Sequence, residues 1–154
     1  MTGTSRRHGV EHIPQDLDIA VRAVDEGASV AVAKGGRLLV SRAGHTVRPL
    51  IEALDEAGEE SRGAVVADKV LGRAAALVLI ASGVLVVHGV VMSDHGREAL
   101  ESAGIKYSYG RLVAFIANRT GDGMCPVEQM SLGFDEPAAF VVAIRQKFQM
   151  DPRG

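Results

Sequence analysis

One thiol and one acid stand three residues apart in Asn118-Arg119-Thr120-Gly121-Asp122-Gly123-Met124-Cys125-Pro126-Val127-Glu128, the string richest in groups able to bind or react. Pro126 suits the first position of a helix, which puts Cys125 at its mouth. There the helix dipole and unpaired N–H groups stabilise a thiolate, so Cys125 is a candidate nucleophile. The same spacing has a plainer reading: a capping box in which Cys125 replaces the usual Ser and Glu128 reaches back from the third helical position. Gly121 and Gly123 let the backbone approach a ligand or form a nest of N–H donors for an anion. Asn118 and Arg119 would orient such a group, and Glu128 is a further candidate contact.

Two other strings lie where an open α/β sheet places its ligands, beyond the carboxyl ends of parallel strands. Val65-Val66-Ala67-Asp68-Lys69 enters an Ala-rich segment expected to be a helix from about Ala67 to Ser82. Asp68 is there a candidate general base and Lys69 a candidate anion contact, although an acid at a helix start also serves simply to offset the dipole. Gly72 costs about 1 kcal/mol relative to Ala inside a helix, so its presence implies a close neighbour. Met92-Ser93-Asp94-His95-Gly96 leaves the next strand, with Ser93 a candidate ligand contact and Asp94 the expected N-cap. His88 interrupts an apolar strand and reads as a core histidine with a partner; His95 suits a ligand or solvent equally.

The elements needed to position these groups follow from pattern. Pro14 to Gly27 reads as an amphipathic helix, preceded by a flexible polar tail over residues 1–11. Strands at 28–33 and 37–41 flank Lys34-Gly35-Gly36, a hairpin turn. A helix at 46–57 carries Pro49 in its first turn. Then come the helix at 67–82, a strand at 84–92, a helix at 94–103 and a short strand at 105–109, with 112–117 ambiguous between strand and loop. Pro126 opens a helix that breaks at Gly133, and Pro137 opens the last. Strand after helix after strand requires parallel pairing through crossovers. The expected architecture is one α/β domain over 12–150, with helices on both faces of a mixed sheet.

Composition narrows the class further. The chain has 154 residues, a net charge of −2, 47% hydrophobic residues and no Trp. Its 21 Ala and 20 Val favour close helix-on-sheet packing. Without a basic surplus or aromatic platforms, no nucleic-acid partner is expected. A single cysteine excludes an internal disulfide and fits a reducing, cytoplasmic setting. Residues 74–93 lack any Asp, Glu, Lys or Arg and are long enough to span a bilayer. Ser82-Gly83 and His88-Gly89 break that run into a helix and a strand, so no membrane is expected.

The strings Ala67-Asp68-Lys69-Val70-Leu71-Gly72-Arg73-Ala74-Ala75-Ala76 and Asn118 to Glu128 resemble those of the prokaryotic domain of unknown function 1893 family. That family has the cytidine deaminase-like fold, so the resemblance implies a three-layer α/β/α domain with an antiparallel hairpin followed by parallel strands. It also implies possible homo-oligomers. Zinc deaminases carry a His or Cys and a Glu at the start of one core helix and Pro-Cys-x-x-Cys at the next. Here Val66 falls at the first ligand, Asp68 where the Glu sits, and Met92 to Gly96 hold no cysteine. No metal, no cofactor and no zinc-dependent deamination are therefore expected. The expected role is metal-independent binding of a nucleoside-like, nucleotide-like or other anionic molecule at the helix N-termini, in sensing or regulation. The alternatives are an enzyme using Cys125 or Asp68, and a structural or partner-binding domain.

Overall fold

Gly35 and Gly36, at φ +63° and +84°, give the double positive φ of a two-residue hairpin turn and join β1 (Val30–Lys34) to β2 (Arg37–Arg42). The computed structural model describes the backbone of residues 2–151 and the side chains of residues 13–151. Asp16, on α1 (Thr2–Asp25), holds the turn: its buried carboxylate accepts the Gly35 and Gly36 N–H groups at 3.1 and 2.7 Å. Pro14 lies inside α1 rather than at its start. The backbone of residues 2–11, expected as a flexible tail, is instead the first part of α1, and the side chains there lie outside the described residues.

The sheet continues through β3 (Val65–Leu71), β4 (Val86–Ser93) and β5 (Lys106–Val113) in the order β2-β1-β3-β4-β5. β1 is antiparallel to both neighbours, and β3, β4 and β5 run parallel. Between them lie α2 (Arg48–Ala57), α3 (Arg73–Ser82) and α4 (Asp94–Ser102), and α5 (Pro126–Ser131) and α6 (Pro137–Lys147) follow β5. The mixed α/β sheet of the expected deaminase-like fold is thus present.

Alternation along the strands sorts the core. Ala31, Ala33 and Ala67 meet Ala20 and Val24 of α1, so thin side chains let that helix lie close. Val30, Val32, Val66 and Val87 join the larger core on the other face with α2, α3, α4 and α6. α3 is enclosed: Ala74 to Leu79 are all buried, between sheet, α4, α5 and α6. This enclosure accounts for the uncharged run 74–93, which is α3 followed by β4. Among the described residues no helix is long and apolar enough to cross a membrane.

Further expectations need correction. The helix expected from Ala67 begins only at Arg73, because residues 65–71 pair as a central strand between β1 and β4. Gly72 takes extended angles at the junction. Asp68 and Lys69 are therefore strand residues, and Val66 marks no helix start. Asp94 is not the N-cap; Ser93 is, its hydroxyl accepting the Gly96 N–H at 3.0 Å. β5 extends to Val113, which resolves the first part of the ambiguous segment as strand.

Phe140 is fully buried against α3 and meets Phe134 edge-on at 5.5 Å between ring centroids. Phe140→Ala is expected to cost about 3–5 kcal/mol through lost contacts and a residual cavity, read as a lower urea midpoint with unchanged slope.

Candidate functional site

α3 and α4 start side by side because β3 and β4 are parallel neighbours, and their first turns touch backbone to backbone. A Cβ on Gly96 would lie 2.9 Å from the Gly72 carbonyl carbon. Between these helix starts sits the carboxylate of Glu128, delivered by α5 and only 2% exposed. Its Oε1 accepts the Arg73 N–H at 2.9 Å and the Ser93 hydroxyl at 2.6 Å, and its Oε2 accepts the Ile116 N–H at 2.5 Å. Gly72 is required by space alone, since its φ of −95° is open to any residue. A Cβ there would fall 2.5 Å from Oε1 of Glu128 and 2.8 Å from Cγ1 of Ile116. The Arg73 side chain closes the arrangement from outside, donating to the carbonyls of Ser131 and Phe134.

This arrangement does not suit zinc. A metal needs converging lone pairs, whereas two N–H groups and a hydroxyl converge here on one carboxylate. Gly72 and Arg73 occupy the start of α3, and Ser93, Asp94 and His95 the start of α4. Among the described residues no group of three or more His, Cys, Asp or Glu is placed to hold a metal ion.

Ser93 and Glu128 are thus brought together, and the remaining candidates lie elsewhere. Cys125 is the N-cap of α5, but its side chain makes no capping bond and packs, half-buried, against the main core. The capping box does not form: the Cys125 N–H donates to the Ile116 carbonyl, and Glu128 turns to its three donors instead. The loop before it is closed on itself. Asn118 Oδ1 accepts from Gly121 N–H at 2.8 Å, Asp122 N–H at 3.2 Å and the Thr120 hydroxyl at 3.1 Å. Asn118 Nδ2 donates to Asp122, whose carboxyl pKa is lowered by its Thr120 and Asn118 hydrogen bonds. The Asn118 N–H donates to the Gly123 carbonyl. Asn118, Gly121 and Gly123 therefore shape the loop, with Arg119 exposed upon it.

Asp68 stands apart from that network, three residues before the carboxyl end of β3, paired with Val30 on one side and Gly89 on the other. It is 9% exposed. Among the described residues no side chain bonds it, and the Val70 N–H approaches its Oδ1 at 3.3 Å. Burial raises its pKa to about 7 against the pull of the Val70 and Lys69 N–H groups. Lys69 beside it is exposed, and Val70 and Tyr109 leave large apolar area uncovered nearby in register. His88 has the partner expected of it, the Ser108 hydroxyl at 2.7 Å, and burial lowers its pKa while the Asp25 charge raises it. His95 lines a cleft of about 420 Å³ between α3, α4 and the turn into α6.

Sequence reasoning missed Arg73 and Ile116 as partners of Glu128. Gly72 was the available signal, since it announced a close neighbour without naming it.

The sequence matches the family described as a domain of unknown function (DUF1893) over residues 19–148. The chain belongs to that family. A DUF1893 family protein (TM1506) from Thermotoga maritima has a crystal structure matching this one with a TM-score of 0.75 at 23% identity, over 83% of this chain and 89% of that one. RibD from Acinetobacter baumannii is matched with a TM-score of 0.49 at 21% identity, over 63% of this chain and 35% of that one. A Thermotoga maritima diaminohydroxyphosphoribosylaminopyrimidine deaminase/5-amino-6-(5-phosphoribosylamino)uracil reductase is matched with a TM-score of 0.48 at 15% identity, over 88% and 43%. No curated protein sequence matches the chain.

Glu128→Ala should lower stability by about 3–5 kcal/mol, because three donors lose a buried charged acceptor. Acetate or formate added to this variant should raise its melting temperature more than equal chloride does, by occupying the vacated donors, and should leave the wild type unmoved. Gly72→Ala should cost about 1–3 kcal/mol through overpacking.

Asp68 shifts stability with pH in a defined direction. The unfolded carboxyl releases its proton near 3.8 and the folded one near 7, so the folded state binds the extra proton between these values. Its contribution therefore falls as pH rises from about 4 to 7, by up to about 4 kcal/mol, and then levels off. Asp68→Asn should flatten this part of the stability–pH curve and be more stable than wild type at pH 8, as read by urea unfolding at several pH values.

Proposed function

We propose that this protein binds a nucleoside-like or nucleotide-like small molecule without metal, with Asp68 as the polar anchor. The observation that carries the reading is Asp68 itself: a buried carboxyl midway along β3, which runs parallel to β4, with no side-chain partner among the described residues. Buried acids are ordinarily paired, and in open α/β sheets ligands bind beyond the carboxyl ends of such strands, here three residues further on. Glu128 supports the reading by filling the space between the starts of α3 and α4, which directs an outside ligand to the neighbouring strand ends. Val70, Tyr109 and Phe115, each more than two-fifths exposed on β3, on β5 and just past β5, offer apolar area to a flat ring. Lys69 and Arg119 are exposed cations available to a phosphate.

A carboxyl with a pKa of about 7 also both donates and accepts a hydrogen bond near neutrality, which matches the paired donor and acceptor of a nucleobase edge. The same property favours a second reading, in which Asp68 transfers a proton to or from the bound molecule as general acid or base. Cys125 has no part in either.

The test is a thermal-shift panel of nucleosides and nucleotides on wild type and Asp68→Asn, scored as the shift each ligand adds. At least one class should stabilise the wild type, by about 2.7 kcal/mol at a hundredfold excess over its Kd, and lose most of that effect in the variant. Equal shifts in both proteins, or none across purines, pyrimidines and dinucleotides, would overturn it.

A further inference from the structure

The surroundings of Asp68 define what kind of group its ligand must offer. Its Oδ1 is approached by the Val70 N–H at 3.3 Å, and its Oδ2 takes no hydrogen bond among the described residues. The Lys69 N–H lies near and favours the charged form, but its own bond goes to the Ser29 carbonyl at 2.8 Å. Every backbone group acting on this carboxyl is thus a donor, and among the described residues no charged side chain acts on it. An ionised carboxylate has about four acceptor positions, so most of that capacity stays open in a group only 9% exposed. Tyr109 stands in the same cross-strand row, across Gly89, roughly 10 Å away by strand spacing, and Val70 lies two residues along β3. Both leave apolar area uncovered for a flat ring.

We infer, resting on the ligand reading above, that the bound ring is guanine-like, with its ring N–H and adjacent exocyclic amino group donating in parallel to the two oxygens of Asp68. Guanine presents two neighbouring donors on one edge, whereas adenine and cytosine present a donor beside an acceptor and uracil a donor between acceptors. A protonated Asp68 would meet adenine or cytosine, but its O–H would then stand among donors and both bonds would be neutral. Hydrogen bonds to an ionised acceptor are roughly twice as strong, and a parallel pair of them fixes the plane of the ring. Two donors from the ligand also replace the water that burial removes, which the single Val70 contact does only weakly.

The test is isothermal titration of wild type and Asp68→Asn with guanosine, inosine, adenosine, cytidine and xanthosine. Guanosine should bind wild type about ten- to a hundredfold more tightly than inosine, which lacks the amino group, and more tightly than adenosine or cytidine. An Asn side chain accepts one hydrogen bond and donates another, so Asp68→Asn should weaken guanosine at least about tenfold and gain xanthosine, whose ring N–H stands beside a carbonyl. A merely structural role for Asp68 produces no such exchange. Should the variant fail to fold, the guanosine-to-inosine ratio on wild type carries the test. Guanosine and inosine binding alike, or guanosine lost in the variant with no gain of xanthosine, overturns the inference. Adenosine or cytidine binding through Asp68 with guanosine inert overturns it too and leaves the nucleoside reading standing, whereas no binding by any of the five removes both.

Discussion

The constraint on which this structure turns is electrostatic. Parallel strands send α3 and α4 off in the same sense, so two helix starts, each carrying partial positive charge, lie in contact. Gly72 and Gly96 remove the side chains that would hold them apart, and this sharpens the juxtaposition. The Glu128 carboxylate offsets both poles at once. Its burial is tolerated because an N–H of α3, the Ser93 hydroxyl at the start of α4 and the N–H of Ile116 replace water around it. One side chain thus joins four segments that are far apart in the chain.

Two buried acids meet opposite treatment. Glu128 is surrounded by donors aimed at its oxygens. Asp68 has burial without that compensation, and its proton is held to about pH 7. The first acid is committed to internal architecture, and the second keeps bonding capacity that no side chain takes up among the described residues. The contrast separates the two carboxylates more clearly than position along the chain could.

Much of the architecture was legible because it rests on local chemistry. The Gly35-Gly36 turn, the Pro49, Pro126 and Pro137 helix openings and the Gly83 stop each encode a backbone preference, and each lies where the pattern put it. The boundary between β3 and α3 was not legible, since Val65 to Leu71 has the apolar texture of either element and only pairing on both sides decides for strand. The site was harder still. Cys125 and Glu128 suggested a local cap three residues apart, but the partners of Glu128 stand 55, 35 and 12 residues away. No short-range pattern carries such a contact. Gly72 recorded the neighbour's presence as a missing Cβ, and its identity required the fold.

The position of Glu128 along the chain also orders events during synthesis. All five strands have been made once Val113 leaves the ribosome, and α3 and α4 are by then complete. Their adjoining poles still lack a counter-anion, and the outer face of α3 still lacks Phe140 and Ile144. Residues 126–148 therefore act as a clasp that arrives last. Until it does, a finished sheet carries an open apolar helix, and the nascent domain depends on its final segment to become a closed one.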